Sequence, residues 1–96
     1  MKTWPLLKKD GSLCAFEIRS TWVTFRQIFR VLRATEGFAD VKRNWFSEAH
    51  ITFNYRGELF VIYEPWGDSS RYWVGPQDAE RSKVDLTSLH KAFQDG

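Results

Sequence analysis

Hydrophobic and polar residues alternate along Leu13–Arg19, with Cys14, Phe16 and Ile18 on one parity and Ala15, Glu17 and Arg19 on the other. Alternation of that length predicts a half-buried strand, entered from the turn signal Lys8-Lys9-Asp10-Gly11-Ser12. The period then changes. At about 100° per residue Trp22, Phe25, Ile28, Phe29 and Leu32 fall on one face. That spacing predicts a helix over 21–36, capped by the hydroxyl of Ser20 or Thr21 and stopped by Gly37. Residues 38–49 mix charged and aromatic side chains without a period and read as a loop or a short irregular strand.

Alternation returns from His50 to Tyr55, where Ile51, Phe53 and Tyr55 oppose Thr52 and Asn54. Arg56-Gly57 is a tight reversal into a strand over 58–64. The segment 65–70 is a second reversal, followed by a short strand from Arg71 to Val74 that Gly75-Pro76 closes. A polar stretch over 77–84 leads to Asp85, a cap for a last helix whose Leu86, Leu89 and Phe93 share a face. The expected fold is α+β, a small two-layer sandwich in the order β-α-β-β-β-α. Its three- to four-stranded, mainly antiparallel sheet carries two helices, in one domain over 1–96 with residues 1–12 free to lie loose.

Leu59-Phe60-Val61-Ile62-Tyr63 is apolar on both parities, the pattern of a strand with water on neither side. If both helices pack on one face of the sheet, something must cover the other. The candidates are Trp4-Pro5-Leu6-Leu7 folded back, a second copy of the chain, or another partner. Composition sharpens that question, because 17% of the residues are aromatic, with 5 Trp and 8 Phe, more rings than one small core uses.

Charge is nearly balanced at +2, but residues 1–48 carry nine basic and five acidic side chains while residues 49–96 carry five and seven. An excess that small predicts no polyanion partner unless the cations cluster. Cys14 is the only cysteine, so no disulfide forms within the chain. No run approaches the roughly eighteen apolar residues of a membrane span. Together these place the chain in the cytoplasm, with Cys14 a small buried hydrophobe beside Phe16 and Ile18.

Chemical vocabulary is densest in 64–73, where Trp66, Asp68, Arg71, Tyr72 and Trp73 stand within one hairpin loop. Aromatic and Arg residues carry most interface energy, so Trp66, Tyr72 and Trp73 read as contact anchors and Arg71 as a polar pin. A second constellation is Trp22 with Arg26, Arg30 and Arg33 along one arc of the first helix, which Lys42 and Arg43 could extend. Cationic forks beside ring faces suit phosphates and bases. Catalysis has thin support: Ser69 or Ser70 with Asp68 and a histidine lacks the G-x-S-x-G elbow, and His50 and His90 read as packing residues. Metal-ligand spacings and Gly-rich phosphate loops are missing from the sequence, so neither metal nor cofactor is expected. The expected function is a non-enzymatic interaction module that self-associates, or binds another protein, through aromatic surface. The alternative is a nucleic-acid-binding domain using the Arg-rich helix face.

Overall fold

A computed structural model of the chain describes residues 1–19, 23–43, 49–64 and 70–96, of which 41–43 and 49–50 are described by backbone alone. The fold is α+β, a six-stranded antiparallel sheet with two helices. Its elements run β1 (Thr3–Leu7), β2 (Leu13–Arg19), α1 (Phe25–Arg33), β3 (Phe38–Arg43), β4 (Ala49–Tyr55), β5 (Glu58–Tyr63), β6 (Arg71–Pro76) and α2 (Thr87–Asp95). Across the sheet the order is β1-β2-β6-β5-β4-β3.

The β4-β5-β6 meander forms as its alternation requires, and Arg56 and Gly57 make its first turn at φ 52 and 86, both in the left-handed region of a two-residue hairpin turn. Two strands exceed the three or four expected. β1 extends the sheet as a hairpin partner of β2, and β3 does the same for β4. Pro5 disguises β1, because a proline inside an apolar run argues against a strand anywhere but at a sheet edge. Here β1 is that edge. The carbonyl of Lys2 accepts the Arg19 N–H, so Lys2, Trp4 and Leu6 direct their backbone groups at β2, while Thr3 and Pro5 direct theirs away. The N–H that proline lacks would have pointed off the sheet. At the other edge, Asp40 at φ 54 and a register shift between Ala39 and Lys42 make a bulge in β3, which breaks the alternation.

A second bulge corrects the placement of Cys14. Leu6 opposes Ala15 but Leu7 opposes Leu13, so Cys14 is the extra residue. Leu13, not Cys14, therefore packs on the core with Phe16 and Ile18. Cys14 instead lines a surface groove beside Leu7, Lys8, Lys9, Ala79 and Glu80, its thiol 3.2 Å from the Leu6 carbonyl oxygen.

Both helices contribute to the core on the sheet's inner face. α1 starts later than predicted, at Phe25, because Thr24 in extended conformation accepts the Gln27 N–H on its hydroxyl; Ser20 and Thr21 lie outside the described residues. It buries Ile28, Val31 and Leu32, with Phe25 and Phe29 partly covered. In α2 the N-cap is Leu86 rather than Asp85, which stands one residue earlier and accepts the Thr87 N–H at 2.9 Å, and Leu86, Leu89 and Phe93 are buried. Strand side chains Phe16, Ile18, Ile51, Phe53, Tyr55, Phe60, Ile62 and Val74 complete the core. Burial of each such aliphatic or Phe side chain contributes about 1.5–3 kcal/mol.

β1 is tied to the helix layer as well as to β2. Thr3 Oγ1 lies 2.7 Å from His90 Nε2 on α2, and the His90 ring packs 4.9 Å from that of Phe16. Burial lowers the His90 pKa below 6.5, since desolvation disfavours the imidazolium. The unfolded chain therefore binds a proton that the folded chain resists, and stability is lost as pH falls from 6.5 toward the folded-state pKa. Urea unfolding at pH 7.5 and 5.5 is expected to show a larger loss for the native chain than for His90→Gln; equal losses would mean that His90 titrates as freely folded as unfolded.

Candidate functional site

With its core on the helix side, the sheet presents a second face on which no described helix or strand packs. The strand pleat assigns that face Trp4 and Leu6 from β1 with Lys2 just before it, Ala15, Glu17 and Arg19 from β2, Arg71, Trp73 and Gly75 from β6, and Leu59, Val61 and Tyr63 from β5. Strand register then sorts these residues into lines that cross the sheet.

The first line is cationic. Lys2 lies opposite Arg19, and Arg19 opposite Arg71, on three neighbouring strands about 4.8 Å apart. Lys2 and Arg19 are exposed and Arg71 is half-buried. Glu17 meets Arg71 at 3.4 Å, while neither Lys2 nor Arg19 forms an ion pair among the described residues. Like charges directly opposite one another destabilise a sheet, so this end of the face carries an electrostatic load.

The second line is Trp4, Glu17, Trp73 and Tyr63. The Arg71 guanidinium lies 3.7 Å from the centre of the Trp4 ring, and the Lys2 ammonium lies 5.3 Å from it. Arg71 thus spans β2 to reach Trp4 while holding Glu17, a cation on a π face and in an ion pair at once. The Tyr63 and Trp73 rings are 5.3 Å apart.

Behind the rings come Leu6, Ala15, Gly75, Val61 and Thr52. Gly75 is a seat. A Cβ there would stand 2.8 Å from Ala15 Cβ and 2.8 Å from Trp73 Cη2, so the indole occupies the space a side chain would fill. This accounts for Ala15 and Val61 being 0% and 9% exposed on a face that no described helix or strand covers. The face is sealed by side chains lying flat on it, with Trp4, Tyr63 and Trp73 still half-exposed.

Of the residues singled out in 64–73, Arg71 and Trp73 are brought together on this face, while Trp66 and Asp68 lie outside the described residues. Tyr72 is not with them. One residue from each, it turns to the inner face, where its ring is 5.9 Å from Phe25. Lys2 and Trp4 near the N-terminus and Glu17 and Arg19 of β2 join the site from segments in which no binding residue was expected. The Arg-rich helix face forms as the spacing implies, with Arg26, Arg30 and Arg33 all exposed and without ion pairs among the described residues; Trp22 lies outside them. These arginines belong to the helix layer, on the opposite side of the sheet from the rings.

Of the groups considered for catalysis, Asp68, Ser69 and the His50 ring lie outside what is described, Ser70 is exposed at φ 58, and His90 is engaged by Thr3 and Phe16. Three or more His, Cys, Asp or Glu do not gather anywhere among the described residues. No described helix is long and apolar enough to cross a membrane. Comparison with protein-family models, with curated proteins and with solved structures finds no match.

The seat at Gly75 generates a prediction. Gly75→Val forces the Trp73 indole off the sheet and should cost about 1–3 kcal/mol, the range for overpacking, together with a red shift of tryptophan emission. Urea unfolding checks it, and an unchanged midpoint and emission would show that Trp73 does not rest on Gly75.

Proposed function

We propose that this chain is a non-enzymatic interaction module that docks its partner on the outer face of the sheet. The observation supporting this most strongly is the line of half-exposed rings, Trp4, Trp73 and Tyr63, held flat by Arg71, Glu17 and Gly75 with no described element over them. Rings and Arg in a pre-ordered array lose little side-chain entropy on binding, which suits an anchor surface. Face docking is favoured over edge docking. An added strand needs a continuous row of backbone donors and acceptors, and Pro5 interrupts that row at one edge while the Asp40 bulge interrupts it at the other.

Self-association is the second reading, favoured by the apolar end of the same face, where half-exposed Leu6 and the 42% exposed Leu59 offer a surface that a second copy could cover. Light scattering across a concentration series tests it: a mass that rises toward a dimer and falls back in Leu59→Glu supports it, and a constant monomer removes it.

The docking reading itself is tested by stability. If the rings serve binding, Trp4→Ala should cost about 1 kcal/mol, the usual size of a single substitution, against about 3–5 for Phe16→Ala in the core. A loss at Trp4 as large as the core value would make the line a structural layer and end the docking reading.

A further inference from the structure

We infer that the helix layer carries a second, separate surface: the exposed side of α1 binds the phosphate backbone of double-stranded DNA, with Arg26, Arg30 and Arg33 as its contacts. At about 100° and 1.5 Å per residue, the three fall within an arc of about 60° and span about 10 Å along the helix. All three are exposed, on the side of α1 opposite the buried Ile28 and Leu32. α2 meets α1 elsewhere, where Gly96 lies against Val31. The row of arginines therefore points away from the fold. From Ile18 to Thr35 the sequence contains no acidic residue, residues 20–22 included. Glu36 stands three residues beyond Arg33, yet among the described residues none of the three arginines forms an ion pair.

Helix stability accounts for only two of them. Arg30 and Arg33 lie in the last turn, at the negative end of the helix dipole, but Arg26 lies in the first turn, at the positive end, with no acid beside it. Arg26 and Arg30 are also a repulsive pair at i, i+4. An anionic partner relieves both costs, and what α1 has and lacks selects that partner. Guanidinium forks pair with phosphate oxygens two at a time. A helix that lies in a lipid surface inserts an apolar face, and the apolar face of α1 is already in the core. Single-strand binding uses rings offered beside the cations, and Phe29, the described ring at the border of the arc, packs on the core. A duplex backbone asks for neither, and with one charge per about 1.7 Å of its axis it presents about six phosphates to a row of about 10 Å.

The test is fluorescence anisotropy of a labelled DNA duplex of about twenty base pairs with the full chain. Three phosphate contacts on a duplex give a log–log salt slope of about −2.7, hence about a fortyfold loss of affinity between 50 and 200 mM salt. Arg26→Gln/Arg30→Gln/Arg33→Gln should weaken binding at least tenfold at 50 mM salt and flatten the slope to less than half. Arg26→Lys/Arg30→Lys/Arg33→Lys keeps the charges and should keep the slope. Lys2→Gln/Arg19→Gln, on the other side of the sheet, should leave the affinity within twofold. Every substituted side chain is exposed, Gln and Lys are as good helix formers as Arg, and circular dichroism confirms that each variant is folded before titration. No binding at 50 mM salt would overturn the inference, as would a slope unchanged in the Gln variant of α1, binding lost only in the sheet variant, equal binding of a single strand, or equal binding of anionic phosphatidylserine vesicles. None of these results bears on the outer face, whose reading is tested by the stability of Trp4→Ala.

Discussion

The described helices pack on one side of the sheet only, so among the described residues the second face is closed by side chains, and many features of this molecule answer to that constraint. The inner face is conventional, with Phe16, Phe53 and Phe60 from the strands meeting Ile28, Leu32, Leu89 and Phe93 from the helices. The outer face has no such layer among the described elements. It is closed instead by the Trp73 indole lying over Gly75 and by the Arg71 guanidinium lying over Trp4. A glycine in a central strand weakens pairing by its lack of a side chain, and here the loss is offset by an aromatic ring occupying the vacated space. Such closure buries Ala15 and Val61 while leaving Trp4, Tyr63 and Trp73 half-exposed.

Edges and charges follow from the same arrangement. A six-stranded antiparallel sheet with one open face would be prone to pair along its edges, and both edge strands carry a device that interferes, Pro5 in β1 and the Asp40 bulge in β3. The cations at one end of the open face add a further deterrent to stacking like on like. What these devices leave available is a flat surface with graded character, cationic at the end of Lys2, aromatic in the middle, and apolar toward Leu59.

Much of the fold was legible because its strongest signals are local. Alternation over 50–63 with Arg56-Gly57 between identifies the β4-β5 hairpin, and the two-sided apolar β5 is explained by its place inside the sheet, with Phe60 and Ile62 inward and Val61 under the outer rings. The edge strands were not legible, because the features that protect an edge, a proline and a bulge, are the features that erase a strand pattern. Cys14 was placed on the wrong face for the same reason, since one extra residue shifts parity between Leu13 and Ala15. For the site, Arg71 and Trp73 were visible as neighbours of equal parity, and period two alone separates Tyr72 from them. Trp4 was named only as part of a segment that could fold back over the sheet, and Glu17 was not singled out, because only the pairing of β1, β2 and β6 brings residues 4, 17 and 71 together, and pairing between distant segments leaves no local trace.

The central claim is that the outer sheet face is closed by side chains that stay accessible, and line broadening of aromatic proton signals by a soluble paramagnetic probe tests it most directly. The account predicts that the ring signals of Trp4, Tyr63 and Trp73 broaden far more than those of Phe16 and Phe60 in the core. Outer rings as protected as the core rings would contradict it and place a further layer over the face.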